Sequence, residues 1–219
     1  RASVRTDDVV QRLADGLIGH HATIDGPRGR KPMIYADYVA SGRALRQIEE
    51  FILTEVLPYY ANSHTEASFV GSMMTHLRRQ ARDIIRTECN ATRDHAVIFT
   101  GSGATAGLNR LVHLFGVARM AADGEKPVVL IGPYEHHSNI LPWRESGAEV
   151  IEIPEAATGG PCMATLAATL AGLAGRPVIG AFSAASNVTG ILTDVVAVTR
   201  LLKAAGAMSI WDYAGGGPY

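Results

Sequence analysis

Ile98-Phe99-Thr100-Gly101-Ser102-Gly103-Ala104-Thr105-Ala106-Gly107-Leu108-Asn109 runs from an apolar segment through a glycine turn into a helical pattern. Val97, Ile98 and Phe99 are adjacent β-branched or aromatic residues, as in a strand buried on both faces. Gly101 and Gly103 permit a tight turn and close approach of another group to the backbone. Ser102 or Thr105 can cap the helix that follows. The free N–H groups at such a helix start, with the positive end of its dipole, make an anion site, most often for phosphate.

From this turn onward the pattern is regular. Strand 96–100 leads to helix 103–116, and strand 127–131 to a short helical segment near 138–146. Strand 148–153 leads to helix 163–174, strand 177–182 to helix 194–205, and a last strand covers 207–212. The alternation predicts an α/β fold, a mostly parallel sheet with helices on both faces. Right-handed crossovers place the loops after the strands on one rim, where ligands bind in open sheets.

The residues before the turn are less regular. Val10, Leu13, Ala14, Leu17 and Ile18 have helical spacing and predict an amphipathic N-terminal helix. Residues 26–32, rich in Gly, Pro and Arg, break structure, and 33–38 predict a short strand. A helix with Leu45, Ile48 and Ile52 on one face stops at Pro58. Residues 59–65 form a polar, aromatic loop. In the next helix Met74, Leu77, Ala81 and Ile84 face inward, with Arg78, Arg82 and Arg86 in a solvated stripe. The expected division is an N-terminal helical segment with a short strand, 1–58, followed by an α/β domain, 59–219.

Composition narrows the class. The 219 residues, 47% hydrophobic and 19% charged, supply the core of a soluble globular protein. A net charge of −1 gives no reason to expect nucleic acid or an anionic membrane as partner. No apolar run approaches a membrane span and no signal peptide is recognisable, so cytoplasm is the expected location. Cys89 and Cys162 have neither metal spacing nor a disulfide framework; Cys89 is expected to be a buried small hydrophobe and Cys162 an exposed loop residue.

The predicted rim collects Thr100 to Thr105, Glu135-His136-His137-Ser138-Asn139, Ser186-Asn187-Val188-Thr189-Gly190 and Asp212-Tyr213-Ala214-Gly215. Gly101-x-Gly103-x-x-Ala106 matches a loose dinucleotide fingerprint, which wants an acidic residue about 20 positions on, at the next strand's end. Asp123 and Glu125 lie before strand 127–131, on the wrong rim, which counts against a dinucleotide. His136 and His137, neighbours in an extended segment, point to opposite sides, and no metal-ligand spacing accompanies them. Asp212 ends a buried strand, either in a cap or salt bridge, or facing the protonated ring nitrogen of a cofactor. Asn187 either forms a turn or donates to a ring substituent.

In five segments the chain resembles the class V aminotransferase family of pyridoxal 5′-phosphate (PLP) enzymes of fold type I, whose best-known members are cysteine desulfurases. They are residues 35–42, 100–105, Glu135-His136-His137-Ser138-Asn139-Ile140-Leu141-Pro142-Trp143, Ser186-Asn187-Val188-Thr189-Gly190 and Asp212-Tyr213-Ala214, in family order. The resemblance implies that Gly103, Ala104 and Thr105 bind the cofactor phosphate. His136 would stack on the pyridine ring and help to shuttle protons, and Asn187 would lie near its phenolic oxygen. Asp212 would keep the ring nitrogen protonated, with Ala214 beside it. His137 is expected to be structural.

The resemblance further implies a homodimer acting on a small amino acid. Elimination chemistry, including removal of sulfur from cysteine, leads; transamination or epimerisation is the alternative. A catalytically incomplete binding protein and a nucleotide-binding oxidoreductase remain as other classes. Two features depart from the family pattern. Gly215 stands where desulfurases carry a glutamine, and none of Lys31, Lys126 and Lys203 lies beyond the aspartate strand, where the family has its covalent lysine.

Overall fold

The computed structural model describes residues 6–217, so the outer ends of the expected 1–58 and 59–219 segments lie outside the described residues. The chain divides into two compact units, residues 1–99 and 100–219.

In the first unit, α1 (Thr6–Gly16) is followed by an antiparallel hairpin of β1 (Thr23–Gly26) and β2 (Gly29–Pro32). The segment expected to break structure is therefore a hairpin. Its two-residue turn, Pro27-Arg28, sets the first φ by the proline ring, and Gly29 takes φ 88°. The strand expected at 33–38 does not form; Tyr35 instead donates its hydroxyl to the Ser41 carbonyl at 2.5 Å.

α1 is anchored at its end, where Gln47 Nε2 donates to the Arg12 carbonyl. Its apolar residues Val10 and Leu13 stay exposed. α2 (Arg46–Phe51) continues through a π turn (Ile52–Val56) and a 3₁₀ turn (Leu57–Tyr59) that carries Pro58 inside it, so the helical path does not stop there. α3 (Phe69–Glu88) starts at Ser68, whose hydroxyl accepts from the Gly71 N–H. Met74 is buried as expected, but Ile84 is exposed. Arg82 is half-buried, not in a solvated stripe: its Nε donates to the Val97 carbonyl and its guanidinium lies over the Phe99 ring. Cys89, expected inside, is exposed.

The strand expected at 96–100 is also absent, with Ile98 61% and Phe99 44% exposed. Strand propensity needs a neighbour to supply the ladder, and among the described residues none pairs here.

In the second unit, α4 (Gly103–Leu114) and α5 (Val117–Ala122) precede β3 (Val128–Ile131). A 3₁₀ turn (His137–Asn139), α6 (Leu141–Glu145), β4 (Glu149–Glu152), α7 (Met163–Gly172), β5 (Val178–Ser183), α8 (Val195–Ala204) and β6 (Met208–Asp212) follow. The four strands are parallel in the order β4-β3-β5-β6, so the predicted α/β sheet is present.

Strand alternation builds a core on each face. Val128 and Leu130 pack with Leu166 and Leu170 of α7 and Val198 and Leu202 of α8. Val129 and Ile131 pack with Leu108 and Val112 of α4, Val117 of α5 and Trp143 of α6. β3 is an interior strand, and each of its fully buried aliphatic side chains is worth about 1.5–3 kcal/mol.

Candidate active site

The chain leaves β3 toward β4 on one side, then returns to place β5 on the other. The connections therefore diverge between the C-terminal ends of β3 and β5, the switch point where open α/β sheets bind ligands. The last register pair of these strands is Ile131↔Ala181, and beyond it they part. β6 extends the same rim, with Ser183 opposite Asp212. At a strand spacing of about 4.8 Å, the β3 and β6 ends lie about 10 Å apart.

α4 starts at Ser102, yet Ser102 makes no capping hydrogen bond. The first N–H groups of this twelve-residue helix are therefore not occupied by the serine hydroxyl expected to cap them. Gly101 and Gly103 take φ 105° and 65°, and an added Cβ at Gly103 would meet nothing within 4 Å, so the turn is open. Thr105 and Gly103 are exposed and Ala104 is half-buried. α4 packs on the sheet through Leu108 and Val112 and touches the 3₁₀ turn after β3, in line with the rim.

His136 and Asn187 follow β3 and β5, and Asp212 ends β6, in that spatial order. His136 is exposed, and its Nδ1 accepts the Ser138 N–H at 3.2 Å. In neutral imidazole this leaves the proton on Nε2, facing outward. The His136 and His137 rings meet edge to face at 5.6 Å rather than on opposite sides, because the chain turns into the 3₁₀ segment at His137. Asn187 is exposed at the tip of a closed turn, in which the buried Ser186 hydroxyl accepts the N–H groups of Val188 and Thr189. Asp212 is only 8% exposed. Its Oδ1 accepts the Ala214 N–H at 2.8 Å, and Oδ2 has no hydrogen bond among the described residues.

One residue at the rim carries more contacts than sequence reasoning assigned it. Glu135 Oε1 accepts the N–H of Ser183 at 2.7 Å and of Gly132 at 3.3 Å. Oε2 accepts the Ser183 hydroxyl and the Asn139 amide, both at 2.6 Å. Asn139 Oδ1 in turn accepts the indole N–H of Trp143 at 2.9 Å, with Asn139 and Trp143 both fully buried. Burial raises the Glu135 carboxyl above its ordinary range, against the pull of these donors. No periodicity signals this role, because the path from Glu135 to Trp143 runs through an extended His136, the 3₁₀ turn and α6.

Cys162, at the N-terminus of α7, is half-buried, not exposed, and the Thr165 hydroxyl on its Sγ (3.2 Å) holds the thiol below its ordinary range. Lys126 precedes β3 and Lys203 sits in the last turn of α8, so neither is at the strand-end rim. No cluster of three or more metal-ligating side chains occurs among the described residues, and no helix among them is long and apolar enough to cross a membrane.

A family model described as aminotransferase class-V matches residues 34–217. The chain is 27% identical over 192 residues to a probable cysteine desulfurase of Halalkalibacterium halodurans, covering 86% of this chain and 46% of that protein. A probable cysteine desulfurase of Staphylococcus aureus is 30% identical over 115 residues, 52% of this chain and 27% of that one. Among solved structures, the apo cysteine desulfurase of Thermococcus onnurineus aligns over 97% of this chain and 48% of its own, with TM-score 0.74 and 21% identity. A cysteine desulfurase from Escherichia coli aligns over 83% and 45%, with TM-score 0.64 and 25% identity. The chain thus spans less than half the length of these relatives.

Proposed function

The chain belongs to the class V aminotransferase family of PLP-dependent enzymes, and on that premise we propose that the whole protein binds PLP at this rim. It acts there on a small amino acid, with elimination of a side-chain group as the favoured reaction, removal of sulfur from cysteine included. The observation that carries the reading is Asp212, a buried carboxylate with one oxygen free of hydrogen bonds, on the rim that also holds the uncapped start of α4 and the outward face of His136.

The donor set fits the group. The N–H groups of Ala104 and Thr105 and the Thr105 hydroxyl would hold a phosphate, with the helix dipole adding its positive end. Asp212 Oδ2, which accepts no hydrogen bond among the described residues, would accept the N–H of a pyridinium ring. Asn187 would offer its amide to the ring's phenolic oxygen. His136 would stack on the ring face and hold a proton at Nε2. When bound, PLP supplies the electron sink for charge left at the amino acid's α-carbon. The whole protein is further proposed to be a homodimer, from the family resemblance, with the cytoplasm as its location.

Adding PLP to the full-length protein should produce a visible absorbance band that borohydride bleaches, and Asp212→Ala should lose cofactor and activity together. Thermal stabilisation by a nicotinamide cofactor but not by PLP would sink the assignment.

A further inference from the structure

We propose that Glu135 is the positioning residue of this rim, a clamp that sets the spacing of the β3 and β5 ends and so places His136 relative to Asn187 and Asp212. The proposal rests on the reading of His136 and Asp212 as ring contacts.

Beyond Ile131↔Ala181 the strands diverge, and the N–H groups of Gly132 and Ser183 lose the ladder as a source of acceptors. Glu135 Oε1 accepts both, so one carboxylate oxygen spans the gap that the switch point opens. Ser183 lies opposite Asp212, and the next residue, Ala184, donates its N–H to the Asp212 carbonyl at 2.9 Å. The clamp therefore reaches the β6 end through one backbone step. Its second oxygen reaches α6 through Asn139 and Trp143. His136 is extended, with φ −69° and ψ 152°, so a Glu135 side chain turned inward directs the His136 imidazole outward.

All four groups that face the carboxyl are donors. Trp143 donates only, which fixes Asn139 Oδ1 toward the indole and Nδ2 toward Glu135. A glutamine at 135 would point its own NH₂ either at Asn139 Nδ2 or at the two backbone N–H groups, so a donor meets a donor in both orientations. Gly132 is part of the same fit, because an added Cβ would stand 2.9 Å from Glu135 Oε1 and 3.1 Å from the Phe182 ring.

The test uses the full-length protein with Glu135→Gln, and Ser183→Ala as a milder variant that removes one donor to Oε2. Without cofactor, hydrogen exchange in 132–139 and 183–187 should speed up together in Glu135→Gln; unchanged protection in 183–187 overturns the clamp. With PLP, absorbance titration should show Glu135→Gln weakening cofactor binding about tenfold, a loss that shrinks to less than about twofold in a His136→Ala background. Equal losses in the two backgrounds overturn positioning through His136. A wild-type protein that takes up no PLP overturns the functional reading and the positioning role, while the exchange arm still decides the clamp.

Discussion

Replacing Asn139 by alanine should be among the most damaging single changes near the rim. Its side chain is fully buried between two partners with no alternative. Truncation strands the indole N–H of Trp143, itself fully buried, at about 1–3 kcal/mol for an unsatisfied donor. It also removes one of the four hydrogen bonds on Glu135, worth about 1.5–3 kcal/mol when the acceptor is charged. Together these give about 2.5–6 kcal/mol, or a fall in Tm of roughly 5–24 °C for a chain of this size. Thermal unfolding of the full-length protein, followed by far-ultraviolet circular dichroism, measures it. Trp143→Phe in the same background removes the stranded donor, so the double variant should lose about 1–3 kcal/mol less than the two single losses added. A fall of less than about 3 °C for Asn139→Ala, or strict additivity with Trp143→Phe, refutes the buried chain from Glu135 to Trp143.

Two further outcomes follow from the same packing. Because burial raises the Glu135 carboxyl, the folded protein binds that proton more tightly than the unfolded chain. Its contribution is complete below the ordinary glutamate range and is lost as pH rises through the raised value. The Tm of the cofactor-free wild type should therefore fall relative to Glu135→Gln across that window, and a Tm difference independent of pH would contradict the assignment. In the sheet core, a Cβ at Gly180 would stand 2.4 Å from Leu202 Cδ1, and Leu202 is fully buried. Gly180→Ala should cost about 1–3 kcal/mol by overpacking, read as a Tm lowered by several degrees; an unchanged Tm would show that α8 can shift away.

Sequence alone determined the α/β alternation after residue 100, because each strand there is a short apolar run followed by a helix-period pattern, and both signals are local. It also determined the order of His136, Asn187 and Asp212 along the chain and, through the motif around 135–143, the family. The tertiary structure decided what needs a partner. Residues 96–100 have strand composition but no ladder beside them, residues 26–32 became a hairpin because β1 and β2 found each other, and Ile84 and Cys89 stayed outside. Only the fold could show that Glu135, which stands in the rim motif with no role assigned from sequence, turns inward across the gap between β3 and β5. That role depends on Ser183, 48 positions away in sequence, and on donors that come together only after the sheet has formed.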